Sequence, residues 1–169
     1  ETDKRATFHC SPAEDMDYSE YTDYFDIVFS SPPYFNVERY SYDDTQSWVR
    51  YKNIDAWNKL FLHKTIENVW PTLKKGGILA INIADVYAAS KGDGKGYKEI
   101  CNPMNDFIKT LGAEYEGCLG MEMAKRPGSA GAGAIIEGDE GRYTEEALEK
   151  AREAADKTFC EPVWIWKKL

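Results

Sequence analysis

Apolar residues along the chain fall into short continuous runs and longer helical repeats. Phe25 to Ser30 (FDIVFS) is a continuous apolar run stopped by Pro32. Such a run fits a strand buried on both faces, as in a parallel sheet. Ile78 to Ile83 (ILAINI) has the same character. Between the two runs, Ile54, Trp57, Leu60, Phe61, Ile66, Val69, Trp70 and Leu73 lie near one side of a 3.6-residue period and predict a helix. Asp55 suits its start. Lys74-Lys75-Gly76-Gly77 suits its stop, because cations complement a helix C-terminus and glycine ends the turn. Ile100, Met104, Phe107, Ile108 and Leu111 predict a second helix, closed by Gly112. Ala6 to Cys10, Ala113 to Met123 and Phe159 to Trp166 read as further strands.

The remaining segments lack a period. A polar stretch after Cys10 has room for a turn of helix near Glu14 to Tyr18. Residues 31 to 53 mix prolines, tyrosines and charges and read as a long functional loop. Residues 88 to 96 form a loop with glycines and lysines, and Lys125 to Arg142 is glycine-rich. Thr144 to Lys157 reads as a polar helix whose apolar positions are mostly alanine, so it packs weakly. Alternating strands and helices imply an α/β fold with a parallel sheet. No full crossover helix separates the last two strands, so an antiparallel pair is expected at the sheet edge. The whole chain, residues 1–169, reads as one domain, with 125–157 an insertion within it.

Composition narrows this picture without redirecting it. An apolar content of 43% over 169 residues supports one packed core. No run of about 18 apolar residues occurs, so no membrane partner is expected. The cysteines at 10, 101, 118 and 160 are scattered, and only His9 and His63 add to them, so no metal site is expected. Reduced thiols in a cytoplasmic protein are the expectation. The chain opens on Glu1 rather than methionine, so a natural start is expected further upstream. A net charge of −8 lowers the case for nucleic-acid binding, since phosphate contacts need local cations. It leaves room for a basic patch or a partner.

The candidate chemistry lies just past the first apolar run. Reactive residues in open α/β sheets gather beyond the carboxyl ends of strands, and Ser31-Pro32-Pro33-Tyr34 occupies that position. Two prolines fix the loop's shape and remove two donors, while their carbonyls stay free to accept. A base flipped out of its stack needs acceptors around its amino group and an aromatic face. A rigid turn that merely ends a strand is the alternative.

Ser-Pro-Pro-Tyr after a hydrophobic strand resembles the catalytic motif of the S-adenosylmethionine-dependent DNA amino-methyltransferases. Ser30 to Ser41 with Thr45-Gln46-Ser47, Leu73 to Val86, and Glu161 to Lys168 are similar to phage and bacterial members of that family. The resemblance implies a Rossmann-like methyltransferase sheet. It implies S-adenosylmethionine as cofactor and a flipped DNA base as partner. Ser31 and Pro32 would accept from the target amino group, and Tyr34, aided by Phe35, would stack on the base. Serine at the head of the motif leans toward cytosine N4 over adenine N6. An RNA-base or protein-amide methyltransferase, or a non-catalytic degenerate module, are the competing readings. Ser11, Pro12, Ala13 and Ser30 are candidate cofactor contacts, with an ordinary capped turn at Ser11 as the alternative.

One family feature is missing. No glycine-rich turn follows the first strand; Gly92-x-Gly94-x-Gly96 and Gly131-x-Gly133 stand in other contexts. The sheet is therefore expected to lack its first two strands. A missing segment or a further chain is expected to complete the cofactor site, which leaves the activity of this fragment alone open. Arg39, Arg50 and Lys52 among Tyr40, Tyr42, Trp48 and Tyr51 suit contacts to phosphates and bases, or a solvated loop equally. Lys91, Lys95 and Lys98 suit a solvated face. Arg126, with Lys125 and Arg142, flanks the insertion that in such enzymes helps recognise the target. Asp85 either borders the target pocket or caps the next turn.

Overall fold

The computed structural model describes residues 6–88, 96–122 and 160–169. Four strands form one open sheet in the order β1-β2-β6-β5. These are β1 (Phe25–Ser30), β2 (Leu73–Asn82), β5 (Ala113–Glu122) and β6 (Cys160–Lys168). β1 and β2 run parallel, and β6 runs antiparallel to both β2 and β5. The expected α/β architecture and antiparallel pair are both present, with β5 at the edge. A short hairpin of β3 (Val86–Ala88) and β4 (Gly96–Lys98) leads into α4 (Cys101–Thr110).

Helical segments carry the chain from β1 back to the start of β2. They begin with α1 (Ser47–Arg50) and α2 (Ile54–Trp57). A π-helical turn (Asn58–His63), α3 (Lys64–Val69) and a 3₁₀ turn (Trp70–Thr72) follow without a break. Asn53, not Asp55, caps this rod: its side chain accepts the Ala56 amide at 2.8 Å. The wide turn rotates Leu60 outward to 49% exposure while Trp57 and Ile66 stay buried. Helical residues Trp57, Leu62, Ile66, Met104 and Ile108 join Leu79, Ile81, Ile83, Trp164 and Trp166 in one core cluster. Burying each indole is worth on the order of 5 kcal/mol by area. Three of the indole N–H groups have acceptors: Trp57 the Ser47 Oγ, Trp164 the Ile83 carbonyl, Trp166 the Asn105 Oδ1.

Four expectations need correction. Ala6 to Cys10 is not a strand; it runs as exposed coil with no ladder partner among the described residues. β1 is not buried on both faces. Side chains alternate along a strand, so Val28 meets the core while Ile27 and Phe29 point the other way, at 63% and 61% exposure. Lys74 to Gly77 does not follow the helix as a stop but sits inside β2 as an irregularity, between Phe25↔Leu73 and Ile27↔Ile78. Gly76 takes φ 79°, and a Cβ on Gly77 would lie 2.9 Å from the Lys74 carbonyl oxygen. The loop at 31–53 is not wholly irregular, since α1 lies within it. The expected insertion at 125–157 lies outside the described residues.

Candidate active site at the carboxyl end of β1

β1 delivers the chain to Ser31 beside the end of the neighbouring β2. Pro32 and Pro33 then turn it sharply. The Phe35 amide donates to the Pro33 carbonyl and the Val37 amide to the Tyr34 carbonyl, both at 3.0 Å. Phe35 itself sits at φ 46°, a backbone region that costs a non-glycine residue free energy. Its ring offsets that cost: it is 1% exposed and meets Trp57 edge-on, with centroids 6.0 Å apart. Phe35 is therefore a core anchor for the corner, and the expectation that it faces a nucleic-acid base is overturned.

Tyr34 is half-buried. Its amide donates to Glu38 Oε2 at 3.1 Å and its hydroxyl to Glu161 Oε2 at 3.2 Å. Burial, followed by the Glu161 charge, raises the phenol far above its ordinary value. The hydroxyl stays protonated and cannot act as a base. Ser31 is exposed, and its hydroxyl donates to Asn82 Oδ1 at 3.1 Å. Asn82 is 1% exposed, and its amide nitrogen donates to the Pro162 carbonyl at 3.1 Å.

A cleft of about 410 Å³ opens beside this corner. Ser30, Ser31, Pro32 and Pro33 line it together with Pro12, Ala13 and Glu14. Val28, Phe61, Ile66 and Ile81 give it an apolar wall. Glu14 is 4% exposed and accepts from Arg50 at 2.7 Å and from the Tyr51 hydroxyl at 3.2 Å. Thr65 lines the same cleft, with its buried Oγ1 lacking a partner. Ser11 does not reach this cleft. With Pro12 it lines an adjoining recess of about 560 Å³ that also holds His9 and Asp43.

The other candidates are dispersed. Arg39 is exposed, donates to the Asn36 carbonyl at 3.1 Å and lies 4.9 Å over the Trp48 ring. Tyr40 is 73% exposed. Arg50 is engaged with Glu14 and Asp15 and presents no free cation. Asp85 caps α4, accepting the Ile100 and Cys101 amides at 2.6 and 2.8 Å, and also accepts from the Tyr97 hydroxyl. Arg126, Lys125, Arg142, Lys91 and Lys95 lie outside the described residues. Sequence reasoning missed Asn82, Glu161 and the Glu14–Arg50 pair. A polar residue inside ILAINI was the one available signal for Asn82; the others depend on contacts across the fold.

No protein-family model and no curated protein matches the chain. Among solved structures it is similar to a Thermus thermophilus protein named as a DNA modification methylase. With S-adenosyl-L-methionine bound, that structure shares 19% identity at a TM-score of 0.55, over 94% of this chain and 53% of that one. The form named without the ligand gives 19% and 0.55, over 94% and 52%. Likeness at this identity is one of fold: the chain has the α/β fold of part of that methylase. It spans about half of that protein's length.

Proposed function

We propose that this chain carries the target-base half of a DNA amino-methyltransferase, with cytosine N4 favoured over adenine N6. One observation supports the reading above others. Ser31 and Pro32, at the carboxyl end of a parallel strand, share a single cleft with Pro12, Ala13 and Ser30. Two distant segments, singled out for different roles, border the same space, at the position where open α/β sheets hold ligands.

The cleft suits the adenosyl end of S-adenosylmethionine. It has apolar walls, the buried carboxylate of Glu14 and the unpartnered hydroxyl of Thr65. Among the described residues no glycine-rich turn borders it to hold the methionine end. When bound, S-adenosylmethionine supplies an electrophilic methyl group on a sulfonium centre. Ser31 Oγ accepts an N–H from the target amino group and turns the nitrogen lone pair toward that methyl. The Pro32 carbonyl accepts a second N–H. Tyr34, kept neutral by burial, offers a ring for the nucleobase to stack on rather than a proton acceptor, and the proton released from the amino group passes to water. Rate gain comes from positioning and from fixed acceptors.

The test is methyl incorporation from labelled S-adenosylmethionine into DNA, RNA and protein, with and without Ser31→Ala. DNA is expected to be labelled, and Ser31→Ala to slow transfer by about 100-fold or more. Labelling of RNA or protein alone, or an unchanged rate in the variant, overturns the reading. A non-catalytic module is the second reading, favoured by the missing glycine turn. Calorimetric titration that shows no heat with S-adenosylmethionine supports it.

A further inference from the structure

We infer that Asn82 is a positioning residue that forces the Ser31 hydroxyl to present lone pairs, and no proton, to the bound substrate. This rests on the function proposed above. A serine hydroxyl carries one proton and two lone pairs and rotates freely unless something holds it. Left free beside an amino group, it can point its proton at the nitrogen and compete for the lone pair that must react. Here the proton is committed to Asn82 Oδ1 at 3.1 Å.

The direction of that bond follows from chemistry. Oxygen and nitrogen of an asparagine amide are told apart by their partners. On its far side Asn82 faces the Pro162 carbonyl at 3.1 Å, which can only accept. The amide NH₂ must therefore face Pro162, and Oδ1 must face Ser31. The Pro162 carbonyl also accepts the Ile83 amide at 3.3 Å, so it is fixed from two sides. Asn82 is 1% exposed and sits in the ladder opposite Val163, so water cannot reorient it. A neutral amide takes up no proton at ordinary pH. Ser31 therefore serves as an acceptor and not as a relay that passes the target's proton inward.

Two measurements test this. Steady-state methyl transfer is compared for wild type, Asn82→Leu, Ser31→Ala and the double variant. Asn82→Leu is expected to lower kcat at least tenfold with KM changed less than threefold. In the Ser31→Ala background it is expected to change kcat less than twofold, because its effect runs through Ser31. Equal losses in both backgrounds mean a merely structural role and overturn the inference. So does a wild-type kcat in Asn82→Leu while Ser31→Ala is slow. An unchanged rate in Ser31→Ala sinks the proposed function instead, and this inference with it. The second measurement needs no turnover and holds if Asn82→Leu does not fold. In the ¹⁵N spectrum of the wild-type chain, an Asn82 side-chain amide proton is expected to exchange slowly, and Ser31→Ala to shift that resonance. Exchange at the solvent rate overturns the geometry.

Discussion

At the scale of single residues, the molecule places charges and rings where partners already wait. Glu14 is 4% exposed, and its carboxylate stays in the cleft wall because Arg50 and Tyr51 donate to it. Removing one partner of a buried pair strands the other charge, whereas replacing both with apolar groups is close to neutral. Arg50→Ala is therefore expected to cost about 3 kcal/mol in urea unfolding. The double replacement Glu14→Leu with Arg50→Met is expected to cost clearly less. The sequence offered Arg50 as a free cation for phosphates; only its contact with Glu14, 36 positions away, shows that it is committed. Adjacent aromatics posed the same difficulty. Tyr34 and Phe35 look alike in a polar loop, and the positive φ that turns Phe35 into the core leaves no mark in a hydrophobic pattern.

At the scale of elements, periodicity identified most of what formed. α4, β5 and β6 lie close to their predicted bounds; α4 has one apolar face, and β6 is a nearly continuous buried run. The rod from Ile54 to Thr72 was legible as helix, but its π turn was not, since one widened turn shifts the period only locally. Lys-Lys-Gly-Gly reads equally as a helix stop or a strand bulge; the answer lies in β1, whose Asp26 carbonyl is 3.2 Å from where a Gly77 Cβ would sit. Gly77→Ala is accordingly expected to lower stability by about 2 kcal/mol, measured by thermal unfolding. The π turn also holds His63, whose ring stacks on Phe107 with centroids 4.5 Å apart. Burial lowers its pKa below the ordinary value, so the folded state takes up this proton less readily than the unfolded chain. Its contribution is fully present above about pH 6.5 and is lost as pH falls through the depressed folded value. His63→Phe is expected to remove that acid-side decline from a plot of Tm against pH.

At the scale of the whole molecule, the sheet is lopsided among the described residues. The helices join its core on one face, while Ile27, Phe29 and Leu119 stand exposed on the other at 63%, 61% and 64%. The apolar run FDIVFS announced a strand but could not say how many neighbours it has, because burial on both faces needs layers that no local pattern encodes. An apolar edge strand is a site for unwanted pairing between chains. Phe29→Lys is expected to leave Tm within about 2 °C of wild type and to reduce light scattering at high protein concentration. A scattering signal that stays unchanged rules out this face as a site of association.

The topology also sets an order in time. β6 comes after β5 in sequence yet lies between β2 and β5, and it carries both Glu161 and Pro162. A nascent chain leaving the ribosome thus cannot zip its sheet shut until residues 160 to 168 have emerged. Until then Tyr34 lacks its carboxylate and Asn82 lacks the carbonyl that orients it. The contacts that hold the corner at Ser31 are therefore complete only once β6 has joined the sheet.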